Sequence, residues 1–349
     1  MSSGGVVRLP AIPPPVRIRQ NINNLSTSDP IVVYYGKAID AMRAKPISDP
    51  LSWRYQAAIH DYPYPDDTYD QRRINPNDPS TVGRDPFATD GETLPADRLT
   101  YWRQCQHNTW FFLPWHRMYL HHFEKIVLNQ VVQLGGPKDW ALPYWKWDAT
   151  DGDGRIPVAL RNPANGGLAT LSFPPRNTAP NANNGEQIAD ATNMDKAFLC
   201  LKPTQFTGND KFGGPAVRRH AGQGRTVITP PDPNPVPPDL DGMGVLEGVP
   251  HGSMHVRTGG SGWMSRFTQA ALDPIFWLHH CNIDRLWEVW IQRKSGFLNP
   301  DDNAWLDASF AFHDATGGNG NLTPRQVVQT RLPPLSYEYD DLTDPLKGA

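Results

Sequence analysis

The sequence predicts a helix-and-loop fold built around one packed core, and three observations carry that prediction. Four segments repeat their apolar residues at spacings of three and four, the helical period. Proline is 36 of 349 residues, roughly twice the usual ~5%. Tryptophan, at 12, supplies large buried area. Much proline together with enough apolar residues reads as a core wrapped in long irregular loops rather than as disorder. At ~100–200 residues per domain the length allows two or three. No clean break appears along the chain, so a single domain over 1–349 is expected.

The first helix is expected over about Asp29 to Arg43, where Ile31, Val32, Tyr35, Ala38, Ile39 and Met42 share a face. A short second one surrounds Ser52 to Ile59. The third runs from about Leu113 to Leu134, with a proline opening it and Gly135-Gly136 stopping it. The fourth runs from Pro274 to about Arg293, with Asp273 as its N-cap and Gly296 just beyond. Between the third and fourth the chain reads as loop. Residues 161–195 are rich in Asn, Gly, Ala and Pro, and 229–238 is polyproline-like. Loops of this length in a compact domain are functional or are held by something else.

Charge and hydropathy exclude several classes. A formal net charge of −3 leaves no basic field for nucleic acid. Mean hydropathy is −0.55, and no apolar run approaches the ~18–20 residues of a membrane span. Met1 to Pro10 lack the pattern of a secretory signal. Three cysteines, Cys105, Cys200 and Cys281, cannot build a disulfide framework, so a reduced, cytoplasmic setting is expected.

Eight of the 11 histidines fall in three groups: His107, His116, His121 and His122; His251 and His255; His279 and His280. Aromatic residues surround them. His251 and His255 are four apart, so ~400° of rotation returns them to one helix face, a two-point chelate. His107 and His116 would lie on opposite faces of one straight helix, so they converge only if Pro114 breaks it. His279 and His280 point ~100° apart, and Phe276 shares the face of His280. Imidazoles in apolar surroundings suit copper, zinc, iron or nickel rather than magnesium or calcium. Few carboxylates lie nearby: Asp61, Glu247 and Asp284. Two histidine sets without a carboxylate ligand look more like paired copper ions than like non-haem iron or catalytic zinc.

The segments CQHNTWFFLPWHRMYLHHFE (105–124), EGVPHGSMHV (247–256) and DPIFWLHHCNIDRLWEVW (273–290) closely resemble the two copper-binding regions of tyrosinases and catechol oxidases, the type-3 dicopper polyphenol oxidases. YQAAIHDYP (55–63) resembles the stretch that supplies the family's first ligand, and SYEY (336–339) the Tyr-x-Tyr pair that closes its catalytic core. The likeness spans about 15–340. It implies a mainly α fold, a four-helix bundle carrying a dinuclear copper centre, with few short strands and no C-terminal lid in this chain. It implies His60, His107 and His116 on one copper, and His251, His255 and His280 on the other, with His279 a neighbour. It also implies a Cys105–His107 thioether, a water held by Glu247 that helps deprotonate phenols, and Phe276 as the gate that stacks on substrate. Val256 would leave the entrance open. Gly252 stands where strong monophenol hydroxylases often carry Asn, so diphenol oxidation is the activity expected to dominate. Asp284 is read either as an acceptor for a ligand imidazole or as a salt-bridge partner of Arg285 or Arg117.

The implied activity is oxidation of o-diphenols by O2 to o-quinones, with o-hydroxylation of monophenols as an extension. An o-aminophenol oxidase on the same site and a haemocyanin-like oxygen carrier are the alternatives. The expected partners are a small phenol and O2, with no nucleic acid or membrane, and a homo-oligomer is allowed. A zinc hydrolase is disfavoured because HGSMH lacks the glutamate of HExxH. The DATDGDG run at 148–154 misses the spacing and closing Glu of a calcium loop.

Overall fold

The computed structural model describes residues 16–62, 92–147, 154–177, 180–189, 197–208, 210–216, 243–293 and 296–346. The polyproline-like 229–238, His220 and most of the calcium-loop decoy lie outside the described residues. Among the described residues the chain is mostly helical, with two three-residue strands, β1 (Arg17–Arg19) and β2 (Tyr337–Tyr339). Among the described residues no helix is long and apolar enough to cross a membrane.

Several helices begin where the sequence supplies a cap. Asp29 accepts the Ile31 N–H at 2.8 Å and Pro30 takes the first position, starting α1 (Pro30–Arg43). Ser52 accepts the Tyr55 N–H at 3.1 Å to start α2 (Trp53–His60). The long helix α3 (Phe112–Gln133) starts without a side-chain cap. Gly135, at φ +83°, ends it, a conformation that glycine adopts without strain. The helix α4 (Ser253–Gly259), in a stretch that reads as loop in the sequence, follows a wide helical segment over Glu247–Gly252 that is kinked at Val249. Asp273 accepts the Ile275 N–H at 3.0 Å and Pro274 opens α5 (Pro274–Gln292).

Helix α3 packs against both α1 and α5, and α1 also meets α2. Aromatic rings fill the junction. Phe123 of α3 stacks on Trp277 of α5 at 3.5 Å and 8°, and Trp53 of α2 reaches both.

Strands β1 and β2 pair in parallel, Arg17 with Tyr337 and Arg19 with Tyr339, joining the two ends of the described chain. Strand alternation turns both arginines inward, where they need anions. Glu124 of α3 takes Arg17 at 2.9 Å and Arg19 at 2.8 Å. Asp284 of α5 takes Arg117 at 2.5 Å and the hydroxyls of Tyr337 and Tyr339 at 2.6 and 2.5 Å. The Arg19 guanidinium lies 3.6 Å over the Tyr337 ring. Pairing with the arginines holds both carboxyls below their ordinary range against the opposing effect of burial.

The irregular segments are tied to the helices through tryptophan, which combines a large apolar body with one N–H donor. Trp290 donates to the Pro203 carbonyl, Trp305 to Trp110, and Trp53 to Leu272. Arg176, fully buried, pairs with the capping carboxylate Asp273 at 2.7 Å. Loop and helix start thus share one anion.

Candidate metal centre

Two groups of side chains converge in this core. His60, Cys105, His107 and His116 form one; His251, His255, His279 and His280 form the other. Within each group, one candidate ligand atom per residue lies within 4.8 Å of all the others. The groups face each other: His116 stacks on His280 at 4.4 Å and 7°, and His107 lies 5.8 Å from His251 between ring centroids.

In the first group each histidine arrives on a different piece of backbone. His60 is the last residue of α2 and His116 lies in the second turn of α3. His107 precedes α3, in a loop that turns through Asn108 at φ +57°. Convergence of His107 and His116 was expected to need a break at Pro114. Instead Pro114 sits inside the first turn of an unbroken helix, where its missing N–H leaves no bond unmade. His107 joins because it lies outside the helix altogether. His251 and His255 sit one turn apart, with centroids at 4.6 Å.

Hydrogen bonds set the tautomers. The Nδ1 of His60 faces the Phe267 carbonyl at 3.0 Å, that of His116 the Phe112 carbonyl at 2.8 Å, that of His251 the Glu247 carbonyl at 2.9 Å and that of His255 the Met264 carbonyl at 2.8 Å. His107 Nδ1 faces Glu247 Oε1 at 2.8 Å. An oxygen without hydrogens can only accept, so the proton stays on Nδ1 and the lone pair on Nε2. The Nε2 atoms of His107 and His251 are buried with no hydrogen-bond partner. Buried polar atoms are seldom left so. His255 and His280 bring their Nε2 atoms within 3.3 Å.

Burial, reinforced by neighbouring imidazoles, holds the pKa of His116, His251 and His280 well below the ordinary histidine value. His255 is lowered to about 4, again mainly by burial. These rings are neutral at pH 7, the form that binds metal. The donors are imidazole nitrogens and one thiol, with no carboxylate in either group. That set fits copper or zinc and disfavours magnesium and calcium.

Other expected residues fall differently. Glu247 turns its oxygens to protein donors, Oε1 to His107 and the Asn108 N–H, Oε2 to the same N–H at 3.1 Å. Cys105 Sγ lies 3.4 Å from His116 Nε2. Phe276, expected as the gate, has no exposed surface. Its ring packs 4.3 Å from His280 and 4.9 Å from His60, a buttress rather than an entrance. The sequence reading missed Phe267, which is 40% exposed, parallel to His60 within 13° and 4.9 Å from His107. No spacing marks it, because it lies on a four-residue helix between the histidine segments. Val256 is exposed, and a Cβ built on Gly252 meets nothing closer than 3.5 Å. Asp284 pairs with Arg117 and touches no ligand ring; Arg285 turns to the Asp341 carbonyl instead. His121 and His122 lie further along α3, outside both groups, and His313 bonds Tyr55.

A family model described as the common central domain of tyrosinase matches residues 50–293. The chain is 35% identical over 342 residues to a tyrosinase of Hahella sp. (strain CCB-MM4), covering 93% of this chain and 63% of that one. It is 30% identical over 328 residues to a chloroplastic polyphenol oxidase of Malus domestica, covering 89% and 46%. It therefore spans about half to under two thirds of the length of these curated relatives. Among solved structures, latent apple tyrosinase superposes with a TM-score of 0.64 at 26% identity, over 97% of this chain and 65% of that one. Polyphenol oxidase of Grenache (Vitis vinifera) gives 0.63 at 25%, over 97% and 88%.

Proposed function

The chain belongs to the tyrosinase family, and from that premise we propose that it oxidises o-diphenols with O2 to o-quinones at two copper ions. His60, His107 and His116 would hold one ion and His251, His255 and His280 the other, in a helical bundle of α1, α2, α3 and α5 to which the loop before α3 adds His107, and α4 with the segment leading into it adds His251 and His255. Slower o-hydroxylation of monophenols belongs to the same reading. The observation that carries it is the pair of facing histidine groups, with Nδ1 bonded to oxygen on five rings and buried, partnerless Nε2 atoms on His107 and His251. When bound, copper supplies reversible electron transfer, which zinc lacks.

The protein's own part is to hold, orient and exclude. Carbonyls and Glu247 fix five imidazoles with Nε2 inward, so the site needs little reorganisation. Phe267 offers an accessible ring face beside His60 and His107, on which an aromatic substrate stacks. Val249 and Val256, which flank the His251–His255 segment in the sequence, are exposed and add apolar surface. Oxidising a diphenol releases two protons from groups of ordinary pKa ~10. Glu247 Oε2, with a single bond at 3.1 Å, is the carboxylate oxygen we assign to accept one. Replacing Phe267 by Ala is expected to raise KM for catechol several-fold while changing kcat less, in steady-state oxygen uptake.

We also assign a thioether between Cys105 and His107, whose ligand atoms share one group. Its formation replaces the S–H and one ring C–H by a C–S bond, and the two electrons and two protons pass to O2. Intact mass after copper loading in air should fall by two hydrogens; a thiol at Cys105 that still alkylates refutes the link.

The test of the function is oxygen uptake by the copper-loaded protein on catechol, tyrosine and 2-aminophenol side by side. Catechol should react without lag and tyrosine more slowly. Faster turnover of 2-aminophenol makes it an o-aminophenol oxidase. Reversible O2 binding without turnover would make it a carrier and end the proposal.

A further inference from the structure

One imidazole of the second group is held unlike the rest. His279 is fully buried, with its ring 4.9 Å from His255, 5.2 Å from His280 and 5.5 Å from His251. It brings a ring nitrogen within 4.8 Å of the ligand atoms of all three. Distance alone therefore does not separate it from the ligands. Its hydrogen bond does. The Trp147 indole Nε1–H donates to His279 Nδ1 at 3.1 Å, and an indole nitrogen can only donate. In the neutral ring Nδ1 then carries the lone pair and Nε2 the proton. On His60, His107, His116, His251 and His255 the arrangement is the reverse, because Nδ1 faces an oxygen. His279 Nε2 is buried with no partner. Trp147 is itself fully buried and stacked on Phe198 at 9°, so its N–H direction is set by packing.

We propose that Trp147 is a positioning residue: by pinning the proton on His279 Nε2 it bars that ring from ligation. The second group then offers three imidazoles rather than four. Four closed imidazole ligands make a structural metal site, whereas three leave a position open for an incoming molecule. The inference rests on the second group being a metal site.

The test uses the full chain, metal-free, with Zn2+ as the probe. Nitrogen-15 histidine NMR of the wild-type protein should find His279 in the Nε2–H tautomer, a reading that needs no metal. Calorimetric titration should find that Trp147→Phe binds Zn2+ several-fold more tightly at the second group, as a fourth imidazole joins. The double variant Trp147→Phe/His279→Phe should return to wild-type affinity. His279→Phe alone should leave Zn2+ affinity unchanged. An Nδ1–H tautomer in the wild type, or a comparable loss of affinity in His279→Phe alone, overturns the proposal even if Trp147→Phe fails to fold. Wild-type protein that binds neither Zn2+ nor copper at the second group refutes the metal-site reading instead.

Discussion

Glu247 links the two histidine groups, its backbone carbonyl facing His251 Nδ1 and its carboxylate facing His107 Nδ1. It sits one turn before His251, yet its carboxylate holds His107 of the opposite group at 2.8 Å. Its neighbourhood to His251 was legible in the sequence, since four residues make one turn. Its bond to His107, 140 positions away, was not, because only the packed fold brings the two segments together. Removing the carboxylate frees the His107 ring to rotate. Glu247→Ala is therefore expected to weaken copper at the His60–His107–His116 group by about 10–100-fold, the usual cost of losing a ligand's hydrogen-bond partner. The His251–His255–His280 group should keep its affinity. Chelator competition followed for both ions checks this; equal loss at both, or none, contradicts it.

At the scale of elements, α3 shows which helical features sequence periodicity conveys. Its extent and its glycine stop were readable, as was the Asp273 cap of α5, because caps and periodicity are local; the caps Asp29 and Ser52 came only with the structure. That a proline opens it was readable too; the break Pro114 was expected to make between His107 and His116 is not there, because the helix begins only at Phe112, after His107. The same helix carries His122, which burial lowers to about 4 despite an opposing bond to the Gly320 backbone. The unfolded chain binds that proton near pH 6.5. Below pH 6.5 the unfolded state holds more protons, so stability is present at neutral pH and is lost as pH falls toward 4. This one group should cost about 2 kcal/mol between pH 7 and pH 5. His122→Leu should flatten the slope by that amount in urea unfolding of the metal-free protein. An unchanged slope would mean that His122 is already charged in the fold.

For the whole molecule, the closing contact is ionic. Arg19 and the two tyrosines of β2 meet Asp284 and Glu124 inside the protein, fastening both ends of the described chain to α3 and α5. A buried pair broken on one side leaves an uncompensated charge. Asp284→Asn is expected to destabilise the protein by about 3–5 kcal/mol, seen as a lower thermal midpoint with or without copper. A midpoint within experimental error of the wild type would show that the arginines find other anions. The SYEY segment was visible as a motif, but the identity of its partners was not.

The sequence by itself determined where α1, α2, α3 and α5 run, which histidines cluster, and that the chemistry is that of imidazole-rich metal sites; it did not mark α4. Those properties are short-range: caps, 3.6-residue periodicity and donor type are written within a few neighbouring residues. Tertiary structure alone decided that His107 enters from a loop, that Phe267 rather than Phe276 presents an open ring, and that Trp147 reverses the tautomer of His279. Each of these depends on groups far apart in the chain meeting in a space where a single N–H or carbonyl sets the direction of a lone pair.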